Sequence, residues 1–147
     1  MRKVVLANDH GGTALALKLK AHLENRGFVV NHIGVYDDKA VDYPDMADKA
    51  VSEFKKGGYE CGVLVCGTGL GISIRANKHS GIIAALPQNI FAATMAKEHN
   101  AANFIAFGGR IDYSDDPIKM LDAYLDAKVD ENERHVNRRG KLNSPAS

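Results

Sequence analysis

The sequence of 147 residues has no excess of charge of either sign, because 19 lysines and arginines are matched by 18 aspartates and glutamates. The net charge of +1 gives no electrostatic reason to expect a nucleic acid or a membrane surface as a partner. No apolar run approaches the roughly 18 residues of a membrane span, and the run near the N-terminus is too short for a secretory signal. A cytoplasmic protein is therefore the expectation.

Cysteine is also scarce, since the chain has two, Cys61 and Cys66. They lie five residues apart in a segment that resembles a strand, and an odd separation along a strand sends two side chains to opposite faces. We expect no disulfide between them, and their spacing is not that of a zinc site. Two free thiols in a reducing compartment are expected, and the lack of any cluster of ligands predicts no metal.

Apolar and helix-like segments alternate along the chain, which is 45% hydrophobic. Buried strands are predicted at residues 3–7, 28–33, 61–66, 81–86 and 103–107. Helices are predicted at residues 13–26, 43 to about 56, after the glycines that follow Cys66 to about 77, after 86 through 98, and about 115 to 127.

Strands that alternate with helices indicate a parallel sheet covered on both faces. The prediction is an α/β fold, a three-layer sandwich around a five-stranded parallel sheet, flavodoxin-like or Rossmann-like. The chain has no repeat, linker or low-complexity segment, so residues 1–147 are expected to form a single domain. The sequence turns polar and basic from Asp130, and residues 130–147 are expected to form a C-terminal arm.

Polar side chains follow three of the predicted strands. Asp9 and His10 follow the first strand, Cys66 ends the third, and Arg110 follows the fifth. Ligands of parallel sheets bind beyond the carboxyl ends of the strands. An acid, an imidazole, a thiol and a guanidinium are therefore expected at one edge of the sheet.

Cys66 opens a glycine-rich turn, with Gly67, Gly69 and Gly71, directly before a predicted helix. Glycine lets the backbone approach a ligand closely, and the free N–H groups at the start of a helix attract negative charge. A thiol in this position is expected to have a pKa lowered toward neutrality, which would make Cys66 a usable base or nucleophile.

A purely structural interpretation of these residues stays open. Cys66 at the end of a buried strand also fits a small core side chain. Asp9 and His10 fit a cap of the first helix, and His99 fits a helix C-terminus, where the macrodipole favours histidine. Arg110 and the arginines of the arm fit a solvated surface.

Six segments together carry a resemblance to one enzyme family. They are NDHGG at 8–12, DYPDMA at 42–47, CGTGLGISIRANK at 66–78, KEHNAAN at 97–103, FGGRI at 107–111 and RHVNR at 134–138. From residue 1 to about 139 the chain resembles the type B ribose-5-phosphate isomerases and their galactose-6-phosphate isomerase relatives. The resemblance implies interconversion of an aldose phosphate and its ketose through an enediol, without metal or organic cofactor.

The resemblance also implies a role for each matching residue. Cys66 is the base that moves a proton between C1 and C2, Thr68 is its hydrogen-bonding helper, and His99 is the acid/base that opens the sugar ring. Three sets of substrate-binding residues are also implied. The residues that hold the enediolate are Gly67, Gly69, Leu70, Gly71 and Asn100. Those that hold the sugar are Asp9, His10 and Tyr43, and those that hold the phosphate are Arg110, Arg134, His135 and Arg138.

The order of the elements predicts that these residues come from two subunits. Cys66, Asp9 and Arg110 follow strands, whereas His99 ends a helix that runs back from that edge by roughly 16 Å. Within one chain, His99 would lie too far from Cys66 to contact the same sugar. We therefore expect an obligate homodimer with two shared sites, in which the partner supplies His99, Asn100, Arg134 and Arg138.

Three functions stay in competition. The first is isomerisation of ribose 5-phosphate, the second is isomerisation of an allose or galactose 6-phosphate, and the third is binding of a phosphorylated ligand without catalysis. Arg75 and the loop at residues 86–89 depart from the family pattern, and NDH and FGGRI lean toward the galactose branch. These features bear on the identity of the sugar more than on the type of reaction.

Overall fold

Parallel strands and helices alternate along the chain as predicted. The computed structural model describes residues 1–146. Its strands are β1 (Lys3–Asn8), β2 (Val29–Gly34), β3 (Cys61–Cys66), β4 (Ala84–Ala85) and β5 (Phe104–Gly108). Its helices are α1 (Thr13–Asn25), α2 (Tyr43–Phe54), α3 (Leu70–Asn77), α4 (Ile90–Glu98), α5 (Pro117–Asp126) and α6 (Glu133–Leu142).

The five strands form one sheet in the order β2-β1-β3-β5-β4, and every pairing is parallel. The predicted α/β fold around a five-stranded parallel sheet is therefore confirmed. The first three strands follow the flavodoxin-like order, but β5 lies between β3 and β4 rather than at the edge. No helix within residues 1–146 is long and apolar enough to cross a membrane.

Two apolar cores, one on each face of the sheet, produce the three layers. Helices α1, α4 and α5 pack on one face, with Leu19 and Tyr124 among their buried side chains. Helices α2 and α3 pack on the other face, where Ala50 is buried. Cys61 belongs to the first core and Cys66 to the second, and both are free thiols. The prediction that the two cysteines face opposite sides is confirmed.

Strand β4 is shorter than predicted, because only Ala84 and Ala85 pair with β5. Before β4, the side chain of Asn103 takes the place of a strand partner. Its Oδ1 accepts a hydrogen bond from the Ile83 N–H at 2.9 Å, and its Nδ2 donates to the Gly81 carbonyl at 2.9 Å. A side chain thus supplies hydrogen bonds that a longer strand would obtain from the backbone.

The predicted C-terminal arm contains a helix, α6, that the sequence patterns did not indicate. Asn132 caps it by accepting a hydrogen bond from the Arg134 N–H at 3.1 Å. Its buried residues are His135 and Arg139. Because these side chains are polar, no apolar stripe marks the helix in the sequence. Ser147, the last residue of the predicted arm, lies outside the described residues.

We expect Gly62→Ala to destabilise the fold and Gly140→Ala to stabilise it. A Cβ at Gly62 in β3 would overlap the buried ring of Phe104, so the core would have to shift at a cost of about 1–3 kcal/mol. Gly140 lies in α6 with open space at its Cβ position, and alanine there should add roughly 0.5–1 kcal/mol. Urea unfolding measures both free energies, and equal stability of the two variants would contradict this packing.

Candidate active site

The sheet has a topological switch point between β1 and β3, because the helices that follow these neighbouring strands leave toward opposite faces. Helix α1 packs on one core and α3 on the other. Ligands of open α/β sheets bind at such points. The two loops also touch, since a Cβ at Gly11 would lie 3.0 Å from the Gly67 nitrogen. The residues predicted from strand ends therefore lie together at this edge.

Cys66 ends β3 at the switch point, and 4% of its surface is exposed. The Gly69 N–H donates a hydrogen bond to its Sγ at 3.1 Å. The loop after β5 is joined to the same place, because the Gly109 N–H donates to the Cys66 carbonyl at 2.8 Å and the Arg110 N–H donates to the Gly67 carbonyl at 2.9 Å. The hydrogen bond from Gly69 is directed at the atom that carries the charge of a thiolate.

The loop after Cys66 requires its glycines. Gly69 has a φ of +78°, in the left-handed region, and a Cβ there would meet the Leu86 side chain at 2.5 Å. At Gly71 a Cβ would overlap the ring of Tyr43. Tyr43 therefore packs directly on the backbone at the start of α3.

The resemblance implies that the backbone N–H groups of Gly69 and Leu70 bind the substrate, but here both donate hydrogen bonds to side chains of the same loop. Gly69 donates to Cys66 Sγ, and the Leu70 N–H donates to Thr68 Oγ1 at 3.1 Å. Cys66 and Thr68 are thus held by adjacent amides at the start of α3. A bound anion would compete for these donors, because hydrogen bonds to charged acceptors are the stronger ones.

Asp9, His10 and Arg110 reach the same edge from the neighbouring loops. Asp9 is buried, and its Oδ1 accepts a hydrogen bond at 2.9 Å from the backbone N–H two residues further on. His10 Nδ1 accepts from the Val41 N–H at 3.3 Å, just before α2. Arg110 Nη1 lies 3.3 Å from the Cβ position of Gly67.

We name the residues at this edge the strand-end group: Asp9, His10, Tyr43, Cys66, Gly67, Thr68, Gly69, Leu70, Gly71 and Arg110. In the part of the chain that the structure describes, residues 1–146, no three His, Cys, Asp or Glu side chains are grouped so that they could hold a metal ion.

The other predicted residues lie at the opposite edge of the sheet, in a set that we name the α4-end group: His99, Asn100, Arg134, His135 and Arg138. His99 caps the C-terminal end of α4. The chain then re-enters the sheet at Phe104, which pairs with Gly62, near the end of β3 that is remote from Cys66. The six residues of β3 span about 20 Å. One chain therefore does not bring His99 to Cys66.

Within the α4-end group, the rings of His99 and His135 are stacked, with centroids 4.2 Å apart and planes 16° from parallel. Arg139 holds the same turn by donating from Nη1 to the His99 carbonyl at 3.1 Å. Arg139 was not predicted as part of the site. It lies four residues after His135 on α6, a spacing that carries information only once the segment is known to be helical.

His135, which the resemblance places near the phosphate, is buried, with 6% of its surface exposed. Burial lowers its pKa, and the neighbouring His99, Arg134 and Arg138 lower it further, against the opposing effect of Asp130. The neutral imidazole is therefore favoured. In this structure His135 is a stacking partner of His99 rather than a cationic surface group.

The two departures from the family pattern occupy different places. Arg75 donates from Nε and Nη2 to the carboxylate of Asp48 at 2.9 and 3.1 Å, and so joins α3 to α2. The loop at residues 86–88 instead lies beside the site, where it lines a cavity of about 400 Å³ together with Thr68, Leu70 and Tyr113. Of the two departures, the loop after β4 is the one that borders the strand-end group.

The family described as Ribose/Galactose Isomerase has a sequence model that matches residues 4–142. The chain belongs to this family. Ribose-5-phosphate isomerase B of Escherichia coli (strain K12) is 36% identical over 138 residues, which cover 94% of this chain and 92% of that protein. The galactose-6-phosphate isomerase subunit LacB of Clostridium acetobutylicum is 38% identical over 120 residues, which cover 82% of this chain and 69% of that protein.

Solved structures of family members have the same fold. Ribose-5-phosphate isomerase B of Clostridium thermocellum matches with a TM-score of 0.90 at 40% identity, over 96% of this chain and 95% of that chain. The enzyme of Thermotoga maritima matches with a TM-score of 0.91 at 37% identity, over 97% of both chains. The resemblance carried by the six segments is confirmed, and membership makes the chain a sugar-phosphate isomerase.

In the native isomerase we expect iodoacetamide to modify Cys66 and to leave Cys61 unmodified. Burial raises the pKa of Cys61 to about 12, so at pH 8 about one thiol in ten thousand is a reactive thiolate. Cys66 lies at the sheet edge with an N–H directed at its sulfur. Peptide mass spectrometry locates the adduct. Native Cys66→Ala protein that still took up label on Cys61 would contradict the assignment.

Proposed function

We propose that this isomerase interconverts ribose 5-phosphate and ribulose 5-phosphate through an enediol, with Cys66 as the base. Three of the relatives described above are ribose-5-phosphate isomerases B. The observation that carries the assignment is the hydrogen bond from the Gly69 N–H to Cys66 Sγ at 3.1 Å, at the switch point of the sheet. The form of Cys66 that removes a proton is the thiolate, and this N–H from the start of α3 is directed at the atom that would bear its charge.

In the proposed reaction, the Cys66 thiolate removes the proton from C2 of the open-chain aldose. The electron pair of that C–H bond forms a C1–C2 double bond, and the carbonyl electrons move to O1, which becomes an enediolate oxygen. The thiol then returns the proton to C1, while the proton on O2 passes to O1 and leaves a ketone at C2. Thr68 assists by hydrogen bonding, and the amides of the loop stabilise the charge on the oxygen.

Ring opening is assigned to His99, which moves the proton of the anomeric hydroxyl to the ring oxygen. The stacked ring of His135 supports this role because it restricts the orientation of the imidazole, and the hydrogen bond from Arg139 to the His99 carbonyl holds the backbone of the same turn. His135 thereby becomes a positioning residue. The phosphate is assigned to Arg110, Arg134 and Arg138, whose guanidinium groups match its oxygens.

The active enzyme is proposed to be a homodimer with shared sites. The strand-end group and the α4-end group lie at opposite edges of one sheet, so a two-fold related partner has to supply the second group to the first. Large exposed apolar side chains on α3 and α4 support an interface there: Leu70, Ile74 and Phe91, of which Phe91 is 72% exposed. Exposed apolar surface of this kind is typical of interaction sites.

A hexose 6-phosphate is the second candidate substrate. The identity to the LacB subunit and the cavity of about 400 Å³ beside Thr68 favour it, because a longer sugar needs additional room. Values of kcat/KM on ribose 5-phosphate, allose 6-phosphate and galactose 6-phosphate decide between the two.

We expect Cys66→Ala to lower kcat by about 10²–10⁴-fold with KM changed by less than about threefold, because the lost group acts on the transition state. The matched control is Cys61→Ala, which removes the other thiol from the opposite core and should keep normal turnover. A coupled assay on the best substrate measures both variants. Near-normal turnover by Cys66→Ala would remove Cys66 from the mechanism.

Mixing inactive Cys66→Ala with inactive His99→Ala protein should restore activity, because one site of each mixed dimer contains both intact groups. Random exchange of equal amounts gives about a quarter of the wild-type number of sites. The control is a mixture of Cys66→Ala with Asp9→Ala, whose changes lie in the same strand-end group and leave no intact site in a mixed dimer. If subunit exchange is demonstrated and the mixture recovers no more activity than the control, the shared-site proposal is contradicted.

A further inference from the structure

Asn8, the last residue of β1, is fully buried, and its side-chain amide joins the loops on both sides of it. Its Nδ2 donates to the Val35 carbonyl at 2.9 Å and to the Asp9 carbonyl at 3.1 Å, with a longer contact of 3.4 Å to Thr13 Oγ1. Since these three atoms accept hydrogen bonds, the amide has a single favourable orientation. Oδ1 therefore faces the opposite way.

His32 on β2 is the group that faces Oδ1. Its Nε2 lies 2.5 Å from Asn8 Oδ1, and because a carbonyl oxygen accepts, Nε2 carries the hydrogen. The second ring nitrogen, Nδ1, is buried without a hydrogen-bond partner within residues 1–146. Burial lowers the pKa of His32, and Lys20 on α1 lowers it further, against the opposing effect of Glu24 on the same helix. The ring is therefore neutral near pH 7 and acts as a single donor.

The segment that Asn8 holds leads to His10. Val35 begins the connection from β2 to α2, and Asp37 in this connection accepts a hydrogen bond from Thr13 Oγ1 at 2.7 Å. Toward its end, the Val41 N–H donates to His10 Nδ1 at 3.3 Å. The amide of Asn8 thus contacts the backbone of Asp9 directly and reaches His10 through the connection.

We propose that His32 is a positioning residue for Asp9 and His10, which it orients through the side-chain amide of Asn8. This deepens the proposed function, because it rests on that function and on the sugar-binding role that the resemblance implies for Asp9 and His10. Loss of the Nε2–H donor leaves the buried Oδ1 of Asn8 without its partner and weakens the anchor that joins Asp9 to the connection at residues 35–42. Sugar binding then weakens, whereas proton transfer at Cys66, which is built on β3 and α3, is retained.

Two variants separate the hydrogen bond from the shape of the ring. His32→Leu removes the donor, whereas His32→Gln keeps an N–H near the position of Nε2, and both remove the ring that packs on Tyr36 at 4.3 Å. We expect KM of His32→Leu to rise about five- to tenfold, the factor that one buried hydrogen bond contributes, with kcat within about twofold. His32→Gln should return KM to within about twofold of the wild type.

A second readout needs no substrate. Hydrogen–deuterium exchange of peptides covering residues 9–13 and 35–42 should be faster in His32→Leu, and close to wild type in His32→Gln and in the control Tyr36→Leu. The same KM and the same exchange in His32→Leu and His32→Gln would overturn the proposal, as would a loss of kcat without a change in KM. Failure of the wild type to turn over any sugar phosphate would overturn the proposed function, while the exchange data would still test the anchor.

Discussion

The close contact between the loops that follow β1 and β3 is the constraint on which the strand-end group depends. A Cβ at Gly12 would meet the Val65 carbonyl at 2.5 Å, and the Asp9 N–H donates to that same carbonyl at 3.2 Å. Because α1 and α3 leave toward opposite faces, the two backbones approach this closely without a collision between helices. The contact fixes Asp9 relative to the end of β3, one residue before Cys66, and the other groups of this edge are arranged around it.

The same alternation of strands and helices that assembles one group separates it from the other. Each helix returns the chain to the start of the next strand, so a residue at the end of α4 lies a full strand length from the edge where β3 ends. The chain nevertheless prepares the orientation of His99 locally, since His135 stacks on it and Arg139 holds its carbonyl. Its imidazole is thus organised by α6 of its own chain, although the proposed site is completed by another.

Features with local causes could be predicted from the sequence, and features caused by distant side chains could not. Apolar runs between helical segments were sufficient to predict the parallel sheet. The glycine pattern was sufficient to predict the turn at Gly69, where a positive φ is needed. The short β4 depends on Asn103, and α6 buries polar rather than apolar side chains, so neither leaves a periodic signal. The contact of His32 with Asn8 arises from the pairing of β2 with β1, which no local pattern reports.

Two backbone N–H groups in the loop after Cys66 already donate hydrogen bonds within the protein. A ligand that binds them has to replace the atoms that accept these bonds. A sulfur atom and a hydroxyl oxygen already occupy the amides of Gly69 and Leu70. In the proposed reaction an uncharged hydroxyl of the resting sugar gains little by competing with the Cys66 thiolate and Thr68 for these amides. The enediolate oxygen forms as the sulfur becomes a neutral thiol, and the charged oxygen is then the stronger acceptor. In the proposed reaction the loop would thus favour the charged intermediate over the resting sugar, and this selectivity would come from two contacts within the protein itself.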